Sequence, residues 1–107
     1  MKAITAMLFW CVSAMALAVE PVMIDVRTAQ EFSSDHVQGA VNIPYDEVGD
    51  KVPAMIEDKS TPINLYCRSG NRAGKAQSTL EKLGYTHVTN LGGLEEARRY
   101  KANKQAM

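Results

Sequence analysis

The residues best suited to chemistry in this chain form one hexapeptide, Cys67-Arg68-Ser69-Gly70-Asn71-Arg72. A cysteine followed by two arginines is a nucleophile in a cationic setting, and nearby guanidinium charge favours thiolate over thiol. The hexapeptide follows Ile63-Asn64-Leu65-Tyr66, which reads as a buried strand. After it, Ala73, Ala76, Leu80 and Leu83 recur at three- and four-residue spacing, the apolar stripe of a helix. Backbone N–H groups of the loop and of the helix's first turn have no helical partners, and they converge with the positive end of the helix dipole. Such a cradle lowers a thiol pKa below its free value of ~8.5 and stabilises an anionic group carried on the sulfur. Gly70 suits the sharp bend. The bland alternative, a structural cysteine ending a strand, gives no reason for two arginines, a glycine and a helix start at this spacing. The expectation is a catalytic Cys67, ionised and in open view, with Arg68, Ser69, Gly70, Asn71 and Arg72 as the anion-binding loop.

Alternating strand-like and helix-like stretches would position that loop. Val22-Met23-Ile24-Asp25-Val26 reads as a strand. Thr28 with Glu31 three residues later forms a capping box and predicts a short helix to about Ser34. Gly39 to Pro44 reads as a turn, a very short strand and a stop. Between Tyr45 and Asp58 the spacing of Val48, Val52, Met55 and Ile56 is loosely helical, but Gly49 and Pro53 interrupt it, which predicts two short turns rather than one helix. Gly84 is the natural left-handed residue after the helix that ends near Leu83. His87 to Leu91 reads as a strand, and Gly92-Gly93 as a turn into a last helix from Leu94 to about Lys101 with a frayed polar tail. The alternation is the α/β pattern, a small and mainly parallel sheet with helices on both faces. Active crevices of such sheets lie beyond the carboxyl ends of the strands, where Cys67 would stand.

The 107 residues amount to one domain, which excludes a multidomain enzyme. Twelve basic and twelve acidic residues give a formal charge of zero, which argues against nucleic acid as a partner. From Met1 to Ala18 the only charge is Lys2, the run is almost wholly apolar, and it closes in Ala16-Leu17-Ala18. That pattern reads as a secretion signal cleaved after Ala18, with a single domain from Val19 to Met107. The run is shorter than the ~20 residues a membrane span needs, so no stable span is expected. Trp10 is too bulky to precede a lipid-modified Cys11. Cleavage would leave Cys67 as the only thiol in an oxidising compartment, which points to a free reactive thiol or an intermolecular pair. His36 and His87 are the only histidines, so a metal site has little support.

Cys-Arg-x-Gly-x-Arg between a strand and a helix resembles the active-site loop of the single-domain rhodaneses, the thiosulfate sulfurtransferases. Ile24-Asp25-Val26-Arg27 is similar to the family's first strand and turn, and His36-Val37-Gln38-Gly39-Ala40-Val41-Asn42-Ile43-Pro44 to its upstream motif. Leu83-Gly84-Tyr85 and Asn90-Leu91-Gly92-Gly93-Leu94 are similar to the pieces after the active-site helix. Together these motifs cover most of residues 22–100. With the export signal and the small size, the chain resembles the small periplasmic sulfurtransferases of the phage-shock type. It departs from the family after the Gly-Gly pair, where many members carry two tryptophans and this chain has Leu94 and Ala97.

The resemblance implies a rhodanese-like fold, a periplasmic location and a double displacement without metal or organic cofactor. In that scheme Cys67 takes the outer sulfur of thiosulfate, sulfite leaves, the loop amides hold the persulfide, and cyanide or a thiol accepts the sulfur. The partners implied are a small anionic sulfur donor and that acceptor, and a monomer is expected. Arg68 would attract the donor, Arg72 would pair with a carboxylate and brace the loop, and Asp25, Arg27 and His36 would give structural support. A phosphatase of related fold needs Arg six positions after the cysteine, where this chain has Ala73, with Arg72 one residue early. From a different class, Cys67 could serve a persulfide carrier that does not turn over or a thiol redox sensor.

Overall fold

In the computed structural model, residues 20–106 are described; the secretion signal read from residues 1–18 lies outside them. The elements run β1 (Val22–Asp25), α1 (Ala29–Ser34), β2 (Val41–Asn42), α2 (Val48–Met55), β3 (Ile63–Cys67), α3 (Asn71–Lys82), β4 (Val88–Gly93) and α4 (Leu94–Ala106). The four strands form one sheet in the order β2-β1-β3-β4, and every neighbouring pair is parallel. The chain steps from β1 outward to β2, then returns past β1 to β3. The order therefore reverses between β1 and β3, and a crevice opens beyond their carboxyl ends at such a point. Asp25 ends β1 and Cys67 ends β3.

Strand alternation sends side chains to two layers. On one face Ile24, Ile63, Leu65 and Cys67 pack with Val48 and Val52 of α2 and with Ala73, Ala76 and Leu80 of α3. On the other face Tyr66 meets Val37 and Ala97, with Met23, Ala40, Leu91 and Leu94 packed against them. Leu94 and Ala97 thus lie in the smaller second layer. All five residues of β3 are buried, as expected of a central parallel strand.

Several local expectations need correction. The stretch after Tyr45 forms one helix, α2, with Pro53 inside it. Pro53 lies in the last turn of this two-turn helix, so only one intrahelical bond, to the Gly49 carbonyl, is lost to it. Val48 and Val52, four apart and fully buried, hold that turn by roughly 1.5–3 kcal/mol each. The Gly92-Gly93 pair is not a turn but the end of β4. Register runs from Leu65 opposite Asn90 to Cys67 opposite Gly93, so β4 carries one extra residue there, and Gly92 takes a left-handed φ of 97° as such a bulge favours. The last helix runs on to Ala106 rather than ending near Lys101. No glycine or proline interrupts residues 101–106, and the Lys101 ammonium donates to the Gln38 carbonyl.

Candidate active site

The helix after Cys67 starts at Asn71 instead of Ala73, so the loop proper is only Arg68, Ser69 and Gly70. Gly70 caps α3 with φ 98° and no side-chain bond. That left-handed turn folds the chain back over the strand end and brings the Gly70 N–H to 3.0 Å from Cys67 Sγ, to which it donates. Burial pushes the Cys67 thiol up, but backbone N–H groups of Ala73, Ser69, Gly70 and Arg72 pull it down further, and the net direction is below the ordinary thiol value. The amides, not the arginine side chains, dominate the pull. The Arg68 side chain is exposed and makes no hydrogen bond or ion pair with any described residue.

The open position expected for the thiol is not observed: Cys67 is 1% exposed. It is the last residue of a strand buried throughout, it points into the layer under α3, and Gly70 closes the loop above it. The sulfur sits on the floor of the cradle. Exposed at the rim are Arg68, Ser69 and Asn71. A cleft of about 620 Å³ lies elsewhere, beside Pro21, Met23, Asn64 and Lys101 at the amino ends of β1 and β3. None of the residues from Cys67 to Arg72 line it.

Arg72, in the first turn of α3, grips Glu31 of α1 with two parallel bonds, Nη1 to Oε1 at 2.8 Å and Nη2 to Oε2 at 3.1 Å. Glu31 also closes the capping box, accepting the Thr28 N–H at 3.0 Å while its own N–H donates to Thr28 Oγ1. First Arg72 and then the Thr28 amide lower its carboxyl to about 2. Sequence pattern located the cap but not the arginine, 41 residues away. Beyond β1, the Arg27 guanidinium donates to both oxygens of Asp25, with Nη2 to Oδ2 at 2.8 Å, and both side chains are almost wholly buried. Arg27 Nη2 also donates to the Asp35 carbonyl. Asn42, which sequence reasoning passed over, donates to the Asp25 and Arg27 carbonyls and ties β2 to this turn. His36 stacks on Phe32 at 3.7 Å between ring centroids. Its Nδ1 donates to the Phe32 carbonyl at 2.7 Å, because that oxygen can only accept.

On the far side, β4 closes against the loop. Gly93 passes so near the Arg68 carbonyl that a Cβ there would overlap it. Its N–H donates to Glu96 Oε1 at 3.1 Å. Asn90 donates to the Gly70 carbonyl at 3.0 Å and accepts the Gly92 N–H at 2.9 Å.

The family model for the rhodanese-like domain matches residues 12–99. The chain belongs to the rhodanese-like family. Its parallel four-stranded α/β sheet is the family's fold. Thiosulfate sulfurtransferase PspE of Escherichia coli (strain K12) is 42% identical over 73 residues, 68% of this chain and 70% of PspE. A tRNA uridine(34) hydroxylase of Erwinia tasmaniensis is 34% identical over 94 residues, 82% of this chain but 27% of the hydroxylase. Among solved structures, a rhodanese with anions from E. coli superposes with a TM-score of 0.69 at 40% identity, covering 72% of this chain and 91% of that one. Relatives that share the domain thus carry names for more than one reaction.

Proposed function

We propose that this rhodanese-like chain is a thiosulfate sulfurtransferase working through a persulfide on Cys67. One observation carries the reading: at the foot of α3 the Gly70 N–H donates to the Cys67 sulfur, with the neighbouring backbone N–H groups of Ala73, Ser69 and Arg72 also favouring its anion. That arrangement serves an anionic sulfur before and after it is loaded. The name of PspE adds support. The Cys67 thiolate attacks the outer sulfur of thiosulfate, the sulfur–sulfur bond of thiosulfate breaks, and sulfite leaves with the electron pair. An acceptor thiolate, or cyanide, then attacks the outer sulfur of the persulfide, and the Cys67 thiolate is released. Arg68, unpaired among the described residues and at the rim, draws in the dianion. Arg72, held by Glu31, fixes the first turn of α3 while its backbone N–H serves the sulfur. The chain works outside the cytoplasm, after export and cleavage at Ala18.

Mass spectrometry of the protein treated with thiosulfate tests this directly. The wild type gains one sulfur on Cys67 and the Cys67→Ala variant gains none. Added cyanide then yields many thiocyanates per chain. Sulfite release by Cys67→Ala at the wild-type rate would overturn the mechanism. One sulfur loaded and never released would replace the enzyme with a carrier.

A further inference from the structure

We infer that Asn90 is a positioning residue for the thiol cradle: its side-chain amide pins the Gly70 carbonyl and so aims the Gly70 N–H at Cys67 Sγ. The inference rests on Cys67 being the reactive group.

Gly70 is the pivot of the cradle. Its N–H reaches the sulfur at 3.0 Å, and its carbonyl accepts the first helical bond of α3 from Gly74 at 2.9 Å. The carbonyl and the N–H belong to adjacent peptide planes hinged at the Gly70 Cα, and glycine holds its own φ and ψ loosely. Two bonds on the carbonyl rather than one fix its plane and leave only that hinge between the anchor and the N–H. Asn90 supplies the second bond, with Nδ2 at 3.0 Å from the Gly70 oxygen. The other end of the amide is fixed too, because Oδ1 accepts the Gly92 N–H at 2.9 Å. The bulge in β4 turns Gly92 back to meet its own Asn90, and the strand becomes an anchor for the loop. Gly70 lies directly beside β4: a Cβ there would stand in ordinary contact, 3.4 Å from Gly92 Cα and under 4 Å from the Asn90 amide. Aspartate could not do the same work, since it accepts from Gly92 but offers nothing to Gly70.

The charged groups around the loop are the Arg72–Glu31 pair from α3 and α1, the Asp25–Arg27 pair from β1, Arg68 at the rim and Glu96 from α4. All are retained in the variants below.

The test is the pH dependence of Cys67 alkylation by iodoacetamide in the mature protein, with Tm measured alongside, for wild type, Asn90→Ala and Asn90→Asp. Both variants are expected to move the alkylation midpoint up by about half a pH unit or more, roughly threefold less thiolate below the midpoint. Asn90→Asp adds a charge as well as removing the donor, and a charge this close to a buried sulfur is only weakly screened by salt, so Asn90→Ala, which adds none, carries the decision. A merely structural role would lower Tm and leave the midpoint alone. Unchanged midpoints in both variants overturn the inference. So does an Asn90→Asp that titrates like wild type, or a shift confined to Asn90→Asp, which its new charge alone would explain. A wild type with an ordinary thiol midpoint overturns it as well. If the midpoints shift as expected but wild type takes no sulfur from thiosulfate, the sulfurtransferase reading falls and the role of Asn90 stands.

Discussion

At the scale of single residues, the two arginines of the loop have parted company. Arg72 is spent on Glu31, whereas Arg68 stands exposed with no partner among the described residues. A rim charge without a partner acts on ground state and transition state alike. Arg68→Ala should therefore raise the thiosulfate KM severalfold and leave kcat nearly unchanged, read from initial rates of thiocyanate formation. The strand end at Cys67 and the helix behind it were legible in the hexapeptide and its flanks, because strand, glycine and apolar stripe are local signals. The depth of the sulfur was not. Whether a residue at a strand end faces solvent depends on how the next three residues fold back, and here one left-handed glycine decides it. Asn90 was legible only as part of a motif, because its partner, Gly70, lies across the sheet.

At the scale of elements, α1 contributes no buried side chain and is held by ends and edges. Its capping box was readable from Thr28 and Glu31 three residues apart, since a cap is a rule of spacing. That the same carboxylate docks α1 onto α3 was not readable, since an ion pair between distant elements leaves no periodic trace. Glu31 titrates at about 2 where 4.5 is ordinary. A carboxyl held low in the folded state contributes stability that is full above its unfolded value and lost as it is protonated. Thermal stability should therefore fall as pH drops from about 4.5 towards about 2. Glu31→Gln should flatten that part of the Tm-against-pH curve and cost on the order of 1 kcal/mol at neutral pH, the pair being partly exposed. An unchanged acid limb would show that the pair does not couple α1 to the folding transition. Helix α2 shows the converse failure of local rules: Pro53 and Gly49 argue against a helix, and burial of Val48 and Val52 overrides them.

At the scale of the whole molecule, the alternation of periods predicted the parallel sheet and its layers, because both faces of such a sheet must be covered and the pattern repeats along the chain. The reversal of strand order between β1 and β3, which sets the crevice, follows from pairing and could not be counted off the sequence. Export belongs to this scale as well. N-terminal sequencing of the protein recovered from the producing cell's envelope should begin at Val19, and recovery with Met1 intact would remove the argument that Cys67 works as a lone thiol.

A sulfur this deep has a consequence for the proposed chemistry. At 1% exposure the bare Cys67 thiol is out of contact with the thiols of other folded proteins, which guards it against mixed disulfides. A sulfur loaded on it would stand about 2 Å beyond Sγ, and that added reach is what an acceptor would meet.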